Sequence, residues 1–254
     1  MMTYKIRPLM KNKAFGVLLL VLALIGVAIL IYRPLTYVFE YDPKYYTVDY
    51  GRFNFFSYFT VQSNIFVTFY LFCLSFAVFG NRNAAKIAFN PTVRLFAATY
   101  IIVTGAVYCG GFPLGMSPPL HWDTFGHIAH SFIQVFHHMI IPPFTVLLFL
   151  LPPTERTVPK KSVWLVGIYP FVYSLFSIVR GALTSKHFYA YPFYRPDFFW
   201  NMFFKDRPLN TLYAYLLLFA MLTVGIGLFV LIAAALRLIN NRIVSNMSNT
   251  EVML

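Results

Sequence analysis

The chain has 254 residues, of which 59% are hydrophobic and 11% are charged, and its formal net charge is +12. This composition excludes an ordinary soluble domain, because such domains carry about 25% charged residues. The 20 basic residues are scattered at the ends of apolar segments and do not form a basic domain, so we do not predict nucleic acid as a partner.

Six segments are long and apolar enough to cross a bilayer as helices, which takes about 20 mostly apolar residues. In chain order they cover roughly residues 15–32, 55–80, 93–109, 128–151, 163–182 and 211–236. They predict an all-α fold, a bundle of six transmembrane helices that forms a single integral membrane domain over residues 1–254. The residues after Arg242 are more polar, and we predict that they are disordered.

The distribution of basic residues predicts the orientation of the bundle. Twelve of the 20 basic residues lie on the side of the two termini and 8 on the other side. Because basic residues in short loops are retained in the cytoplasm, both termini are predicted inside, with the loops 33–54 and 183–210 outside. Arg33-Pro34 follows the first apolar segment in place of a cleavage pattern, which favours a retained span over a signal peptide. We therefore expect a multi-pass protein of the cell membrane.

The two outer loops are rich in aromatic residues, which has two interpretations. Amphipathic rings are typical of the headgroup layer, where one edge of the ring stays in contact with water. The alternative is that these loops form a lid over a cavity accessible to lipid.

A polar stripe runs along the fourth span. At 100° per residue, its members fall within a sector of roughly 100°; they are His127, His130, Gln134, His137 and His138. Ionisable residues in a membrane usually face the bundle interior, so this stripe predicts a functional site. Pro142 and Pro143 also remove the amide partners of nearby carbonyls, which indicates a break in the helix.

A second polar stripe occupies the second span, at Ser57, Thr60, Asn64 and Thr68. Such side chains often join neighbouring helices by hydrogen bonds, and a threonine often bonds its own preceding turn, here the carbonyl of Phe56. The alternative is chemical. A hydroxyl with a neutral imidazole in reach is the minimum for an activated nucleophile, and Thr60 and His138 supply these groups.

Three strings of residues resemble those of a known family. They are SYFTVQSN (57–64), HHMIIPPF (137–144) and YPF (191–193). In this order and spacing, across about residues 53–197, they resemble the androgen-induced protein family and its bacterial six-span relatives. The resemblance implies an intramembrane hydrolase of fatty acid esters of hydroxy fatty acids that uses a threonine on one helix and a histidine on another.

The resemblance implies Thr60, which follows an aromatic pair, as the catalytic threonine and His138, four and five residues before two prolines, as the catalytic histidine. His137 is the alternative. His138 would take the proton of Thr60 as the hydroxyl attacks an ester carbonyl, giving an acyl-threonine that water releases. No cofactor is needed.

Several further residues are predicted to assist the reaction on a fatty acyl ester of the membrane. Ser63 and Asn64 could donate to the oxyanion, and Gln134 and His137 could support the site. Arg180 could bind the carboxylate of a fatty acid, or its side chain could simply extend to the headgroup layer.

Two other functions remain open on the sequence. His127, His130 and His138 could bind zinc, but three ligands on one helix give poor tetrahedral geometry, so we predict no metal. The chain could also be a transporter or a structural membrane protein, in which the polar stripes are contacts between helices.

Overall fold

The computed structural model describes residues 7–40, 51–111, 113, 117, 120–184, 187–205 and 207–252. These residues form helices and connecting turns without any strand, which confirms the predicted all-α fold. The helices are α1 (Lys13–Glu40), α2 (Phe59–Val78), α3 (Arg82–Ala88), α4 (Pro91–Gly111), α5 (Phe125–Val135), α6 (Ile141–Leu150), α7 (Lys160–Leu165), α8 (Ile168–Leu183), α9 (Pro196–Phe203) and α10 (Thr211–Val252).

Six helical segments are long and apolar enough to cross a membrane, which confirms the predicted number of spans. They are Lys13–Thr36, Phe59–Val78, Pro91–Gly111, Phe125–Leu150, Lys160–Leu183 and Thr211–Met247. The fourth segment combines α5 and α6 with the π-helical turn Phe136–Ile140 between them. The fifth combines α7 and α8. The protein is therefore a multi-pass membrane protein.

The ends of the first two spans differ from the sequence prediction. The second span was predicted to begin at residue 55, but residues Gly51–Ser57 form a 3₁₀ helix and α2 begins at Phe59, after Tyr58 with extended backbone angles. The first helix contains Pro34 and continues beyond it to Glu40, although a proline inside a helix removes a backbone hydrogen bond. The rest of the predicted first outer loop, residues 41–50, lies outside the described residues.

The C-terminal segment was predicted to be disordered, and this prediction was wrong. Helix α10 continues without interruption to Val252. The buried Val244 is only 4% exposed, and the guanidinium of Arg7 donates a hydrogen bond to the sulfur of Met247. Polar composition misled the prediction, because packing against the N-terminal segment can stabilise a helix whose own sequence is polar.

The N-terminal segment, the α6–α7 connection and the second half of α10 meet at one end of the bundle. The amide of Arg7 donates to the carbonyl of Pro153 at 3.2 Å, and Nε of Arg237 donates to the carbonyl of Val158 at 3.1 Å. Alternation of six spans predicts this grouping. We call this the inner end, and the end that carries the 3₁₀ helix 51–57 and the α8–α10 connection the outer end.

The first experimental prediction concerns the orientation of the bundle in the membrane. A cysteine at Asp197, in α9, should react with a membrane-impermeant maleimide in intact cells, whereas a cysteine at Lys160, at the inner end, should react only after permeabilisation. The exposed Cys109 is first replaced by serine, and Cys73 is buried. The opposite labelling pattern would reverse the orientation, although it would leave the bundle itself unchanged.

Close packing joins α4 to the π-helical turn at Gly105. A Cβ atom added there would lie 2.9 Å from the carbonyl oxygen of His138 and 3.0 Å from the ring of Pro142. Pro142 has no N–H to donate to the carbonyl of His138, so the helix loses this backbone hydrogen bond at the turn. A small residue on α4 therefore lets the irregular turn approach another helix, as is common in membrane bundles.

This contact predicts that Gly105→Ala destabilises the protein. The clash involves backbone and a rigid ring, so we expect a net loss of about 1–2 kcal/mol after the helix-propensity gain of alanine. Gly110→Ala is the matched control on the same helix, because an added Cβ there meets nothing within 4 Å. Thermal unfolding in detergent should give a lower midpoint for Gly105→Ala alone. Equal midpoints for the two variants would contradict this packing.

Candidate functional site

A cavity of about 440 Å³ lies between α2, α4, α8 and α10, beneath the 3₁₀ turn Pro192–Tyr194. Most of its wall is apolar, and the residues that line it include no charged side chain among those described. Its polar lining residues are Thr60, Thr104, Tyr173, Ser174, Tyr191 and Tyr194. An apolar cavity with a few polar groups is typical of a site for a small, mostly apolar ligand.

Thr60 is the second residue of α2 and lines this cavity. Its backbone N–H donates to the phenol oxygen of Tyr191 at 3.1 Å, and the Tyr191 hydroxyl donates in turn to Thr60 Oγ1 at 3.4 Å. The Phe56 carbonyl, a predicted partner of Thr60, instead accepts from Nε2 of Gln62 at 2.9 Å. Among the contacts of the described residues, the hydroxyl proton of Thr60 therefore has no acceptor.

Tyr191 is a site residue that the sequence did not identify, although it belongs to the string YPF. It is held by an edge-to-face contact with Tyr58, at 5.6 Å between ring centroids, and by stacking on Phe193 at 5.1 Å. Burial raises the pKa of the Tyr191 phenol above its ordinary value. The phenol therefore stays protonated at neutral pH and remains a hydrogen-bond donor toward Thr60.

Ser63 and Asn64 surround the backbone of Thr60. Ser63 Oγ donates to the Thr60 carbonyl at 3.0 Å and lies 2.7 Å from Oγ1 of Thr104, and Asn64 Nδ2 donates to the same carbonyl at 2.8 Å. Both side chains are almost completely buried. Ser63 Oγ and one N–H of the Asn64 amide are thus bonded to the Thr60 carbonyl, where they hold the first turn of α2.

His138 lies in the π-helical turn and is 8% exposed. Its Nδ1 donates to the carbonyl of Gln134 at 3.0 Å, and its ring stacks on Tyr108 with centroids 4.0 Å apart. Because Nδ1 carries the proton in this hydrogen bond, Nε2 has a free lone pair and is the basic nitrogen. The hydrogen bond to Gln134 and the stacking on Tyr108 together hold the direction of this imidazole.

The structure does not join Thr60 to His138 by a hydrogen bond, although the sequence predicted that they face each other. His138 does not line the cavity, and the hydroxyl of Thr60 contacts Tyr191. Both residues nevertheless lie near α4. Thr60 and Thr104 line the same cavity, His138 stacks on Tyr108, and Thr104 and Tyr108 are four residues apart, about 6 Å along the helix.

The other predicted site residues, His137, Gln134 and Arg180, do not line the cavity. His137 is buried, and its Nε2 has no hydrogen-bond partner, while Gln134 Nε2 lies 3.3 Å from Nε2 of His130. The guanidinium of Arg180 donates to the side chain of Asn54 and lies 4.8 Å over the ring of Phe188, at the outer end of α8.

The three histidines considered as zinc ligands are not gathered in one place. The ring of His127 lies 2.7 Å from the carboxylate of Asp123, and this hydrogen bond lowers the pKa of Asp123. The other two, His130 and His138, each contact Gln134. Within the described residues, no group of three or more His, Cys, Asp or Glu side chains is arranged to hold a metal ion.

The fold and the cavity define a multi-pass membrane protein with a hydroxyl group exposed in an apolar internal site. Comparisons with family models, with curated proteins and with solved structures found no match for this chain. Membership of the androgen-induced protein family therefore stays a prediction from the three strings.

Proposed function

We propose that the protein is an intramembrane hydrolase of fatty acyl esters, located in the cell membrane, with Thr60 as its nucleophile. One observation supports this proposal most directly. The hydroxyl of Thr60 borders an uncharged, mostly apolar cavity, accepts a hydrogen bond from Tyr191 and keeps its own proton unshared among the described contacts. The resemblance to the androgen-induced protein family supports the same residue and the same substrate class.

In the proposed reaction, Thr60 Oγ1 attacks the ester carbonyl and its proton passes through a water molecule to Nε2 of His138. The tetrahedral intermediate then collapses, the bond to the alcohol oxygen breaks, and the alcohol leaves with that proton. A water molecule attacks the acyl-threonine and releases the fatty acid. His138 takes the proton of this water and returns it to Thr60, so both residues are regenerated.

Tyr191 is the donor best placed to stabilise the negative charge that develops during attack. Its hydroxyl already reaches Thr60 Oγ1, and an ester bound at that oxygen would bring its carbonyl close to the same donor. The position of Thr60 in the first turn of α2 adds the positive end of a helix dipole. The proposal thus assigns oxyanion stabilisation to Tyr191 in place of Ser63 and Asn64.

A second candidate function is a non-catalytic membrane protein, either a transporter or a structural protein, that binds lipid in this cavity. The observation that favours it is the separate bonding of Thr60 and His138, each to a different neighbour. In this case the polar groups hold the spans and the outer loop in place, and each hydrogen bond contributes about 1 kcal/mol to the stability of the bundle.

A covalent probe distinguishes the two candidates. Purified protein in lipid vesicles is incubated with a fluorophosphonate that carries a long alkyl chain and a fluorophore. If the protein is a hydrolase with an activated Thr60, the wild type should be labelled and should cleave a fatty acyl ester of a hydroxy fatty acid. The Thr60→Ala variant should not be labelled. Absence of labelling and of hydrolysis in a wild type that unfolds cooperatively would favour the non-catalytic function.

A further inference from the structure

The exposure of its lining residues indicates where the cavity opens. Two of its lining residues, Val107 on α4 and Leu228 on α10, are 52% and 54% exposed. Both lie within the spans Pro91–Gly111 and Thr211–Met247. In a bilayer their exposed sides would face lipid, and we therefore place the mouth of the cavity between α4 and α10 at membrane depth.

One face of α10 forms a long wall of the cavity. Its lining residues run from Met221 to Ile232 at helical spacing, which corresponds to roughly 16 Å of helix. Gly225 lies near the middle of this face, and a Cβ atom added there meets nothing within 4 Å. The wall therefore has free space beside Gly225.

The chemistry of the lining selects one kind of occupant. Among the described residues, no charged side chain lines the cavity, so a charged headgroup would lose its hydration without compensation. An acyl chain that comes from the bilayer leaves one apolar environment for another and pays no such cost. The hydroxyls of Thr60 and Tyr191 can then contact an uncharged polar group, such as an ester, at one end of that chain.

We propose that an acyl chain of a membrane lipid enters sideways from the bilayer between α4 and α10 and lies along Gly225, with its ester at Thr60. Only the position of the ester depends on the proposed function. The path and the binding of the chain stand on the cavity, its mouth and its lining.

A pair of glycines on α10 provides a matched test. Gly225→Trp should fill the cavity, whereas Gly227, roughly 200° around the helix, does not line it and also has open space around an added Cβ. Both variants are made in Thr60→Ala, so that binding is measured without hydrolysis. The probe is a long-chain fatty acyl ester with a diazirine in its chain, photolysed in phosphatidylcholine vesicles.

The parent Thr60→Ala protein and its Gly227→Trp variant should crosslink to peptides of α4 and α10, and Gly225→Trp should lose these crosslinks. Val107→Trp, at the mouth, is the second blocking variant if Gly225→Trp unfolds. Crosslinking that persists in a folded blocking variant, or that is absent from the parent protein, would overturn the proposal. Crosslinking as expected without ester hydrolysis by the wild type would reject the hydrolase and leave this binding path. Normal hydrolysis in a Gly225→Trp protein that retains Thr60 would reject the path and leave the hydrolase.

Discussion

Thr60→Ala should lower kcat/KM for a fatty acyl ester by a factor of about a thousand or more, because it removes the only proposed nucleophile. The loss should not come from unfolding. The substitution removes one hydrogen bond of 3.4 Å, which contributes about 1 kcal/mol, and leaves the bond from the Thr60 amide to Tyr191 intact. The measurement is steady-state hydrolysis in vesicles, with the unfolding midpoint as a check on folding.

Thr60→Ser is the matched control, since serine keeps the hydroxyl and removes only a methyl group. It should retain measurable hydrolysis and probe labelling. If Thr60→Ala hydrolyses the ester as fast as the wild type, another group is the nucleophile and the account of the cavity as a catalytic site is wrong.

His138→Phe should lower kcat by about 10² to 10⁴, the usual contribution of a general base. Phenylalanine keeps an aromatic ring for stacking on Tyr108 but removes the nitrogen that accepts the proton. The double variant with Thr60→Ala should be little slower than Thr60→Ala alone, because residues that act as one unit give non-additive losses.

His137→Phe is the adjacent control for this prediction. Its Nε2 is buried without a partner, so an apolar ring of similar size removes an uncompensated polar atom. We expect nearly normal hydrolysis and equal or greater thermal stability. If His137→Phe abolishes turnover and His138→Phe does not, the two histidines exchange roles. If neither variant changes turnover, the imidazoles only pack the helices.

The sequence predicted the spans well because the signal for them is local. Each span is a continuous apolar segment of about 20 residues, and a membrane admits few other structures for it. The end of α10 was predicted poorly because its order does not depend on a local signal. Composition near Met247 is polar, and one contact that holds this segment comes from Arg7, at the other end of the chain.

The candidate site was predicted in part. Thr60 and His138 stand out from sequence alone, as polar groups on spans that are otherwise apolar. The residues that surround them in the structure cannot be identified from the sequence in this way. Tyr191 reaches Thr60 from a loop 131 residues away, which no helical periodicity can indicate. The π-helical turn at Phe136–Ile140 also changes the spacing of 100° per residue on which the predicted face of the fourth span was based.

The most direct test of the central claim is detection of the acyl-threonine itself. Purified wild-type protein in vesicles is mixed with an activated fatty acyl ester, such as a p-nitrophenyl ester, quenched in acid, digested and examined by mass spectrometry. We predict one acyl group on Thr60 in the wild type, and none on the corresponding peptide of Thr60→Ala. Ester turnover by the wild type with the Thr60 peptide unmodified, or with the acyl group on another residue, would contradict the proposed role of Thr60.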